Sequence, residues 1–245
     1  MGHDLTVRFR KARRDPALTV VEGFHALKHA LRFGAELVEA VAVDPEELER
    51  LAAELAPDLA GQLGGRVERI DAADLADLAP LVPRTGVVAI ARRPPLDLDA
   101  VLADPAPAPV VLLEQPKNMG NIGACIRVAA AAGAAAVLTT GENDPWYPDA
   151  VRGAAGLHFA LPVTAVEALP ASDRPLLAID PEGEELSPSR LPARAVLAFG
   201  TERHGISDEL LERADARIAI PMRAGVSSLN LATSVAIALY CQRIG

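Results

Sequence analysis

The stretch Ile220–Tyr240 has the sequence IPMRAGVSSLNLATSVAIALY, and the prediction of the fold starts from it. It joins the apolar end of a predicted strand, Ile218–Met222, to a small polar loop and then to a long helical pattern. Pro221 closes the strand, and Gly225 supplies the flexible backbone that a sharp turn requires. We therefore expect the chemistry of this region to lie in the loop.

The helix after this loop is predicted to be buried along one broad face. Apolar and small residues recur from Leu229 at helical spacing, and Ser227 or Ser228 can cap the first turn. Asn230 interrupts the apolar face with an amide, which must find backbone partners or a ligand. The sequence alone leaves both roles open for Asn230.

Length and composition limit the classes of protein that this chain can represent. Its 245 residues, 50% of them hydrophobic, suit two domains of ordinary size or one large α/β domain. No stretch approaches the roughly 18 to 20 apolar residues of a membrane span, and the start lacks the apolar core of a signal peptide. We therefore expect a cytoplasmic protein without membrane contact.

Metal binding is not expected from the residues that could supply ligands. Cys125 and Cys241 are too few for a disulfide framework or a four-ligand zinc site. His25 and His29 lie one helical turn apart, which is a spacing that two zinc ligands could use. A third ligand is missing near them, so a solvated helix face is the favoured interpretation.

The charge of the chain is distributed unevenly. The net charge of −9 argues against a surface that binds nucleic acid throughout. Five basic residues nevertheless crowd the N-terminus, and these are Arg8, Arg10, Lys11, Arg13 and Arg14. They form either a local basic patch on an acidic body or a solvated tail.

Alternating strand and helix patterns predict a small α/β domain over residues 1–93. The stretch Pro94–Pro109 holds five prolines, so we interpret residues 94–107 as a linker. A second domain then covers residues 108–245. A fragment that begins near Ala106 is expected to be cut within exposed linker and not within the core.

The second domain begins with a predicted β-α-β unit. Val110–Leu113 is continuously apolar, which is typical of a strand buried in a parallel sheet, and the Ala-rich helix Gly123–Ala132 follows. Gly120 and Gly123 match only part of the glycine fingerprint of dinucleotide-binding proteins. A nicotinamide-dependent dehydrogenase therefore stays a weak alternative.

Two charged side chains stand out in this domain. Arg127 lies on the Ala-rich helix, where its long side chain is expected to reach an edge, a cleft or a subunit interface, or simply to extend into solvent. Glu202 lies between Gly200 and Gly205, directly after the predicted strand Ala195–Phe199. Open α/β sheets place ligands at the carboxyl ends of such strands.

Three stretches together resemble a known family. NIGACIR, FGTERHG and IPMRAGVSSLNLATSVAIALY are similar to the three successive motifs of the SpoU, or TrmH, group of SPOUT RNA 2′-O-ribose methyltransferases. The resemblance covers residues 108–245. The N-terminal part resembles the family's small L30e-like substrate-binding domain at VEGFHALKHAL and TGVVAIARRP, although Thr85 stands where the family often has Gln.

The resemblance implies a parallel-sheet α/β domain with a trefoil knot, a homodimer and S-adenosylmethionine as the methyl donor. The substrate would be a ribose 2′-hydroxyl in structured RNA, with ribosomal RNA favoured over tRNA. By position in the motifs, Gly200, Ile220 and Leu229 would hold the cofactor, largely through backbone groups. The catalytic residues implied in the same way are Asn121, Arg127, Glu202, Ser228 and Asn230.

Methylation of a ribose hydroxyl needs an acceptor for its proton and stabilisation of the forming oxyanion. Arg127 is the implied activating residue, and because arginine stays protonated we interpret its role as electrostatic first. The other four would position the reactants. A non-catalytic RNA-binding or ribosome-associated protein with the same fold is the alternative.

Overall fold

The computed structural model describes residues 2–59, 61–63, 65–201 and 204–244. Its helices are α1 (Gly2–Ala12), α2 (Phe24–Arg32), α3 (Pro45–Leu55), α4 (Ala72–Leu78), α5 (Leu98–Ala103), α6 (Met119–Ala132), α7 (Pro148–Gly153), α8 (Asp208–Arg213) and α9 (Leu231–Ile244). Its strands are β1 (Leu18–Glu22), β2 (Leu37–Ala42), β3 (Glu68–Arg69), β4 (Val87–Arg92), β5 (Val110–Leu113), β6 (Ala136–Thr139), β7 (Val163–Ala165), β8 (Leu176–Glu185), β9 (Val196–Phe199) and β10 (Ala216–Ala219). No helix in these ranges is long and apolar enough to cross a membrane.

The chain divides into two compact units. The first contains Met1–Pro95 together with Trp146–Ala160, and the second contains Leu96–Pro145 and Leu161–Gly245. In the first unit the strand order is β1-β4-β2-β3, with β4 antiparallel to both of its neighbours. In the second unit the order is β10-β8-β9-β5-β6-β7, and all neighbours are parallel.

The predicted α/β class, with a parallel sheet in the C-terminal part, is confirmed. Every residue of β5, β6 and β9 is buried, which explains why these strands are continuously apolar in the sequence. Two predicted boundaries are wrong. β10 ends at Ala219 and does not reach Met222, and α6 begins at Met119, one turn before the predicted Gly123.

The basic N-terminus is a helix, so its interpretation as a solvated tail is wrong. Leu5, Phe9 and Ala12 recur at helical spacing on α1 and are buried in the core of the first unit. Arg8 forms an ion pair with Glu39. The basic side chains of this helix therefore lie on a fixed surface.

The segment 146–160 is built into the first unit by polar contacts as well as by packing. The Thr19 hydroxyl donates to the carbonyl of Trp146 at 2.9 Å. Arg152 pairs at 2.6 Å with Glu22, whose side chain is only 1% exposed. A buried carboxylate needs such a partner, because an unpaired buried charge costs several kcal/mol, roughly 3 to 5 when one partner is removed.

Helix α2 packs closely against the same segment. Nδ1 of His29 lies 2.7 Å from the carbonyl oxygen of Ala155. Gly156 has a φ of 76°, and a Cβ placed there would lie 2.1 Å from the carbonyl oxygen of Ala26. Only glycine fits at this position, because the neighbouring atom belongs to the backbone.

The stretch interpreted as a linker contains α5, whose Leu102 is buried in the core of the second unit. Arg174 is only 4% exposed and donates to the carbonyls of Leu102 at 2.9 Å and Ala108 at 2.8 Å. Burial lowers the pKa of Arg174 below its ordinary value. These hydrogen bonds hold the segment before β5 against Arg174 in the second unit.

The pairing between β8 and β10 is interrupted. Ala216 and Arg217 pair with Leu177 and Ala178, whereas Ile218 and Ala219 pair with Glu184 and Glu185. Residues 179–183 therefore leave the ladder and form an excursion at this edge of the sheet. A Cβ at Gly183 would lie 2.4 Å from the backbone carbon of Arg217, so the excursion requires glycine there.

Candidate active site

A cavity of about 310 Å³ lies in the second unit, at the carboxyl ends of β9 and β10. Its wall comes from residues 179–181 of the β8 excursion, from 199–201 after β9, from Ile220 and from 227–229. Its volume lies at the lower end of the range for small-molecule sites, about 300 to 1,000 Å³. Carboxyl ends of parallel strands are the usual place for ligands in open α/β sheets.

The structure brings together four of the predicted site residues in this cavity wall. Gly200, Ile220, Leu229 and Ser228 all line it, although they come from two separated sequence motifs. A glycine and two aliphatic residues offer backbone polar groups and an apolar surface, which fits the adenosine part of S-adenosylmethionine.

Asn230 has backbone partners, which is one of the two roles that the sequence leaves open. Its Oδ1 accepts from the backbone N–H groups of Ala232 at 3.0 Å and Thr233 at 3.4 Å, so Asn230 caps α9. The expectation that Ser227 or Ser228 caps this helix is wrong. Ser228 lines the cavity and does not cap the helix.

Asn230 also joins the two motif helices. Its Nδ2 donates to Oδ1 of Asn121 at 3.1 Å, and Asn121 lies in the first turn of α6. Asn118 caps α6 by accepting from the backbone N–H of Asn121 at 2.9 Å. The first turns of α6 and α9 are thus held side by side, and the positive ends of both helices meet here.

Arg127 lies further along α6 and is exposed. Among the residues that the structure describes, it has no hydrogen bond or ion pair, and it does not line the cavity. The structure therefore does not bring Arg127 to the residues that line the cavity within one chain. Its side chain extends to the surface of the second unit.

Glu202, the remaining predicted catalytic residue, lies outside the described residues. The described residues on either side of it are hydrogen-bonded to each other. Thr201 and Gly205 exchange two backbone hydrogen bonds, at 3.0 and 3.1 Å. A Cβ at Gly200 would lie 2.0 Å from the backbone carbon of Gly205, so the two glycines touch through their main chains.

Two carboxylates that the sequence analysis missed organise the same region. Glu114, at the end of β5, accepts from the backbone N–H of Ser207 at 2.8 Å and from its hydroxyl at 2.5 Å. Asp180 lines the cavity and accepts from Nη2 of Arg217 at 2.7 Å. This hydrogen bond raises the pKa of Arg217 above its ordinary value. The turn signal Asp-Pro-Glu-Gly at residues 180–183 was available in the sequence.

Known proteins are similar to this chain along nearly its whole length. A Streptomyces azureus protein named 23S rRNA (adenosine(1067)-2′-O)-methyltransferase is 30% identical over 244 residues, which cover 94% of this chain and 88% of that protein. The SpoU methyltransferase AviRb from Streptomyces viridochromogenes, solved in complex with the cofactor AdoMet, matches with a TM-score of 0.76 at 24% identity and covers 97% of both chains. A crystal structure of an RNA 2′-O ribose methyltransferase matches with a TM-score of 0.70 at 28% identity, over 97% of this chain and 96% of that one.

Family models agree with these similarities. The model of the SpoU rRNA Methylase family matches residues 108–240, which contain every residue of the cavity wall. A model described as RNA 2′-O ribose methyltransferase substrate binding matches residues 20–96. The dehydrogenase alternative is therefore wrong, and Gly120 and Gly123 are helical residues of α6. The chain belongs to the SpoU rRNA methylase family and carries that family's substrate-binding domain in its N-terminal part.

Proposed function

We propose that this protein methylates a ribose 2′-hydroxyl in ribosomal RNA, with S-adenosylmethionine as the methyl donor. The observation that carries the proposal is the cavity that gathers Gly200, Ile220, Leu229 and Ser228 at the carboxyl ends of β9 and β10. Relatives named as 23S rRNA 2′-O-methyltransferases support ribosomal RNA as the substrate. We propose that the protein works in the cytoplasm.

The residues of the chain divide into those that hold the cofactor and those that act on the hydroxyl. When bound, S-adenosylmethionine supplies an electrophilic methyl group on its sulfonium. Gly200, Ile220 and Leu229 hold it. Arg127 stabilises the oxyanion that forms as the ribose hydroxyl gives its proton to water. Ser228, Glu202 and the Asn121–Asn230 pair position the reacting groups.

We also propose a homodimer with a trefoil knot. Arg127 is exposed and has no partner among the described residues, so a second copy could receive it at its own cavity. Exposed apolar side chains at the end of α9, namely Tyr240 and Ile244, support a protein contact there. The knot is proposed from the match of residues 108–240 to the SpoU rRNA Methylase family.

We propose that the end of α1 and the turn after it recruit RNA. Arg10, Lys11 and Arg14 are exposed and line one concave surface with Asp15 and Pro16. Of the other basic residues there, Arg8 pairs with Glu39, and Arg13 pairs with the buried Glu22. We therefore expect the first three to contact phosphates and the last two to stabilise the fold.

The activity is tested with the purified chain, S-adenosylmethionine carrying a labelled methyl group, and ribosomal RNA stripped of protein. We expect the label in 23S rRNA and not in tRNA. The labelled nucleotide should resist alkaline cleavage of its 3′ phosphodiester, because a 2′-O-methyl group blocks the attacking hydroxyl. A label on a base would contradict the proposal. RNA binding without transfer would favour the non-catalytic alternative.

Neutralising Arg10, Lys11 and Arg14 to Gln is expected to weaken RNA binding and flatten its dependence on salt. Each lost phosphate contact should reduce the slope of log Kd against log salt concentration by about 0.7 to 0.9. Fluorescence anisotropy with a labelled 23S rRNA fragment measures this slope, and cofactor affinity should not change.

The matched control neutralises Arg50, Arg66 and Arg69 in the same way. These three residues are exposed in the same unit, and their replacement removes the same charge. We expect this control to keep more than half of the wild-type slope of log Kd against log salt concentration. Equal losses in the two variants would mean that only net charge matters, and the assignment of the surface on α1 would then be wrong.

A further inference from the structure

We propose that Asp180 binds the ribose hydroxyls of the adenosine part of the cofactor. This inference rests on the proposed function, in which the cavity at the ends of β9 and β10 holds S-adenosylmethionine. None of the three motifs that define the family resemblance contains Asp180. Its place in the site follows from the fold of β8 alone.

The backbone around Asp180 is arranged in a way that ordinary strand pairing does not require. Residues 179–183 leave the β8–β10 ladder, and 179–181 become part of the cavity wall. Gly183 permits this excursion because its backbone lies against the backbone of Arg217. The excursion therefore moves a carboxylate from the edge of the sheet into the wall of the cavity.

The two oxygens of Asp180 differ in their surroundings. Oδ1 accepts from Nη2 of Arg217 at 2.7 Å and from the backbone N–H of Glu182 at 2.9 Å. Oδ2 has no hydrogen-bond donor among the residues that the structure describes, and the side chain is only 12% exposed. A carboxylate oxygen in this position lowers its free energy when a ligand in the cavity donates to it.

The ribose is the part of the cofactor that best fits this oxygen. Its two neighbouring hydroxyls are neutral donors, and acidic residues at the ends of parallel strands bind ribose hydroxyls in other α/β folds. The ammonium group of the methionine part is a poorer match. Arg217 already neutralises this carboxylate from a distance of 2.7 Å, so a second cation would meet an unfavourable charge.

The test is Asp180→Asn, which keeps an oxygen for Arg217 and Glu182 but replaces the free oxygen by a donor. We expect the affinity for S-adenosylmethionine, measured by calorimetry, to fall about 10- to 100-fold, since hydrogen bonds to charged groups are strong. The matched control is Glu182→Gln. Glu182 also contacts Arg217, at 3.2 Å, but its side chain is 83% exposed and does not line the cavity. Its effect should stay below about 2-fold.

Two further ligands identify the group that Asp180 contacts. 5′-Methylthioadenosine keeps the ribose but lacks the amino-acid part, so Asp180→Asn should weaken it by the same factor. Its 2′,3′-dideoxy analogue lacks both hydroxyls, so it should bind wild type and variant equally. If only S-adenosylmethionine were weakened, the contact would be to the ammonium group and the inference would be wrong.

The outcomes separate this inference from the proposed function. If the wild-type protein binds no S-adenosylmethionine, the proposed function fails. If it binds the cofactor and Asp180→Asn binds equally well, only the role of Asp180 fails. If the variant does not fold, as judged by thermal unfolding, the affinities of the wild-type protein for 5′-methylthioadenosine and its dideoxy analogue still test the inference. Equal wild-type affinity for 5′-methylthioadenosine and its dideoxy analogue would overturn the inference.

Discussion

Replacing Arg127 by Ala is expected to reduce methyl transfer at least about 100-fold, which is typical for the loss of a group that stabilises an oxyanion. Cofactor affinity should stay within about threefold, because Arg127 does not line the cavity. Its exposed side chain has no partner among the described residues, so its removal should not destabilise the fold.

Single-turnover transfer to ribosomal RNA and calorimetry with S-adenosylmethionine measure the two effects separately. Arg127→Lys keeps the charge but not the planar fork, so it should recover only part of the rate. The control is Arg190→Ala, because Arg190 is an exposed arginine of the same unit that pairs with Glu184. A variant Arg127→Ala that keeps most of its turnover would remove Arg127 from the mechanism.

Replacing Gly200 by Val is expected to abolish cofactor binding and to destabilise the second unit. The sequence alone suggests that a branched side chain would block the cofactor. The structure adds a stronger reason, because any Cβ at this position would lie 2.0 Å from the backbone carbon of Gly205. Backbone atoms cannot rotate away, so Gly200 and Gly205 would have to move apart.

Gly200→Ala separates the two reasons. If the side chain only blocked the cofactor, alanine would be much milder than valine. If the glycine contact closes the loop, both variants should lose S-adenosylmethionine binding by more than about 10-fold and should unfold at a lower temperature. Calorimetry and thermal unfolding measure these effects. An alanine variant with normal affinity would show that the loop tolerates a side chain at this position.

Local signals in the sequence predict the buried strands of the second unit better than they predict where its helices begin. The apolar runs of β5 and β9 predict buried parallel strands because both faces of each strand are covered. The cap of α9 could not be chosen by residue type, since serine and asparagine cap helices equally well. Only the position of the chain decides that Asn230 takes this role and leaves Ser228 at the cavity.

Features that depend on distant partners could not be predicted. Asp180 enters the cavity wall because β8 changes register against β10. The turn signal at residues 180–183 indicates a break in the strand, but it does not indicate which residues pair after the break. The helix α1 is a different case. Leu5, Phe9 and Ala12 carry a helical spacing, but the cluster of charges around them left a basic patch and a solvated tail as alternatives. The roles of Arg127 and Glu202 came only from the family resemblance.

The assignment of residues 146–160 to the first unit limits how such genes can recombine. The chain passes from one unit to the other after Pro95, after Pro145 and again after Ala160. A crossover near residue 100 would therefore join one parent's small domain to the other parent's Trp146–Ala160, and Arg152 would face a foreign residue in place of Glu22. Exchange of RNA specificity between relatives should succeed only when both segments come from the same parent. A fragment that begins near Ala106 would for the same reason expose the apolar side chains of this segment.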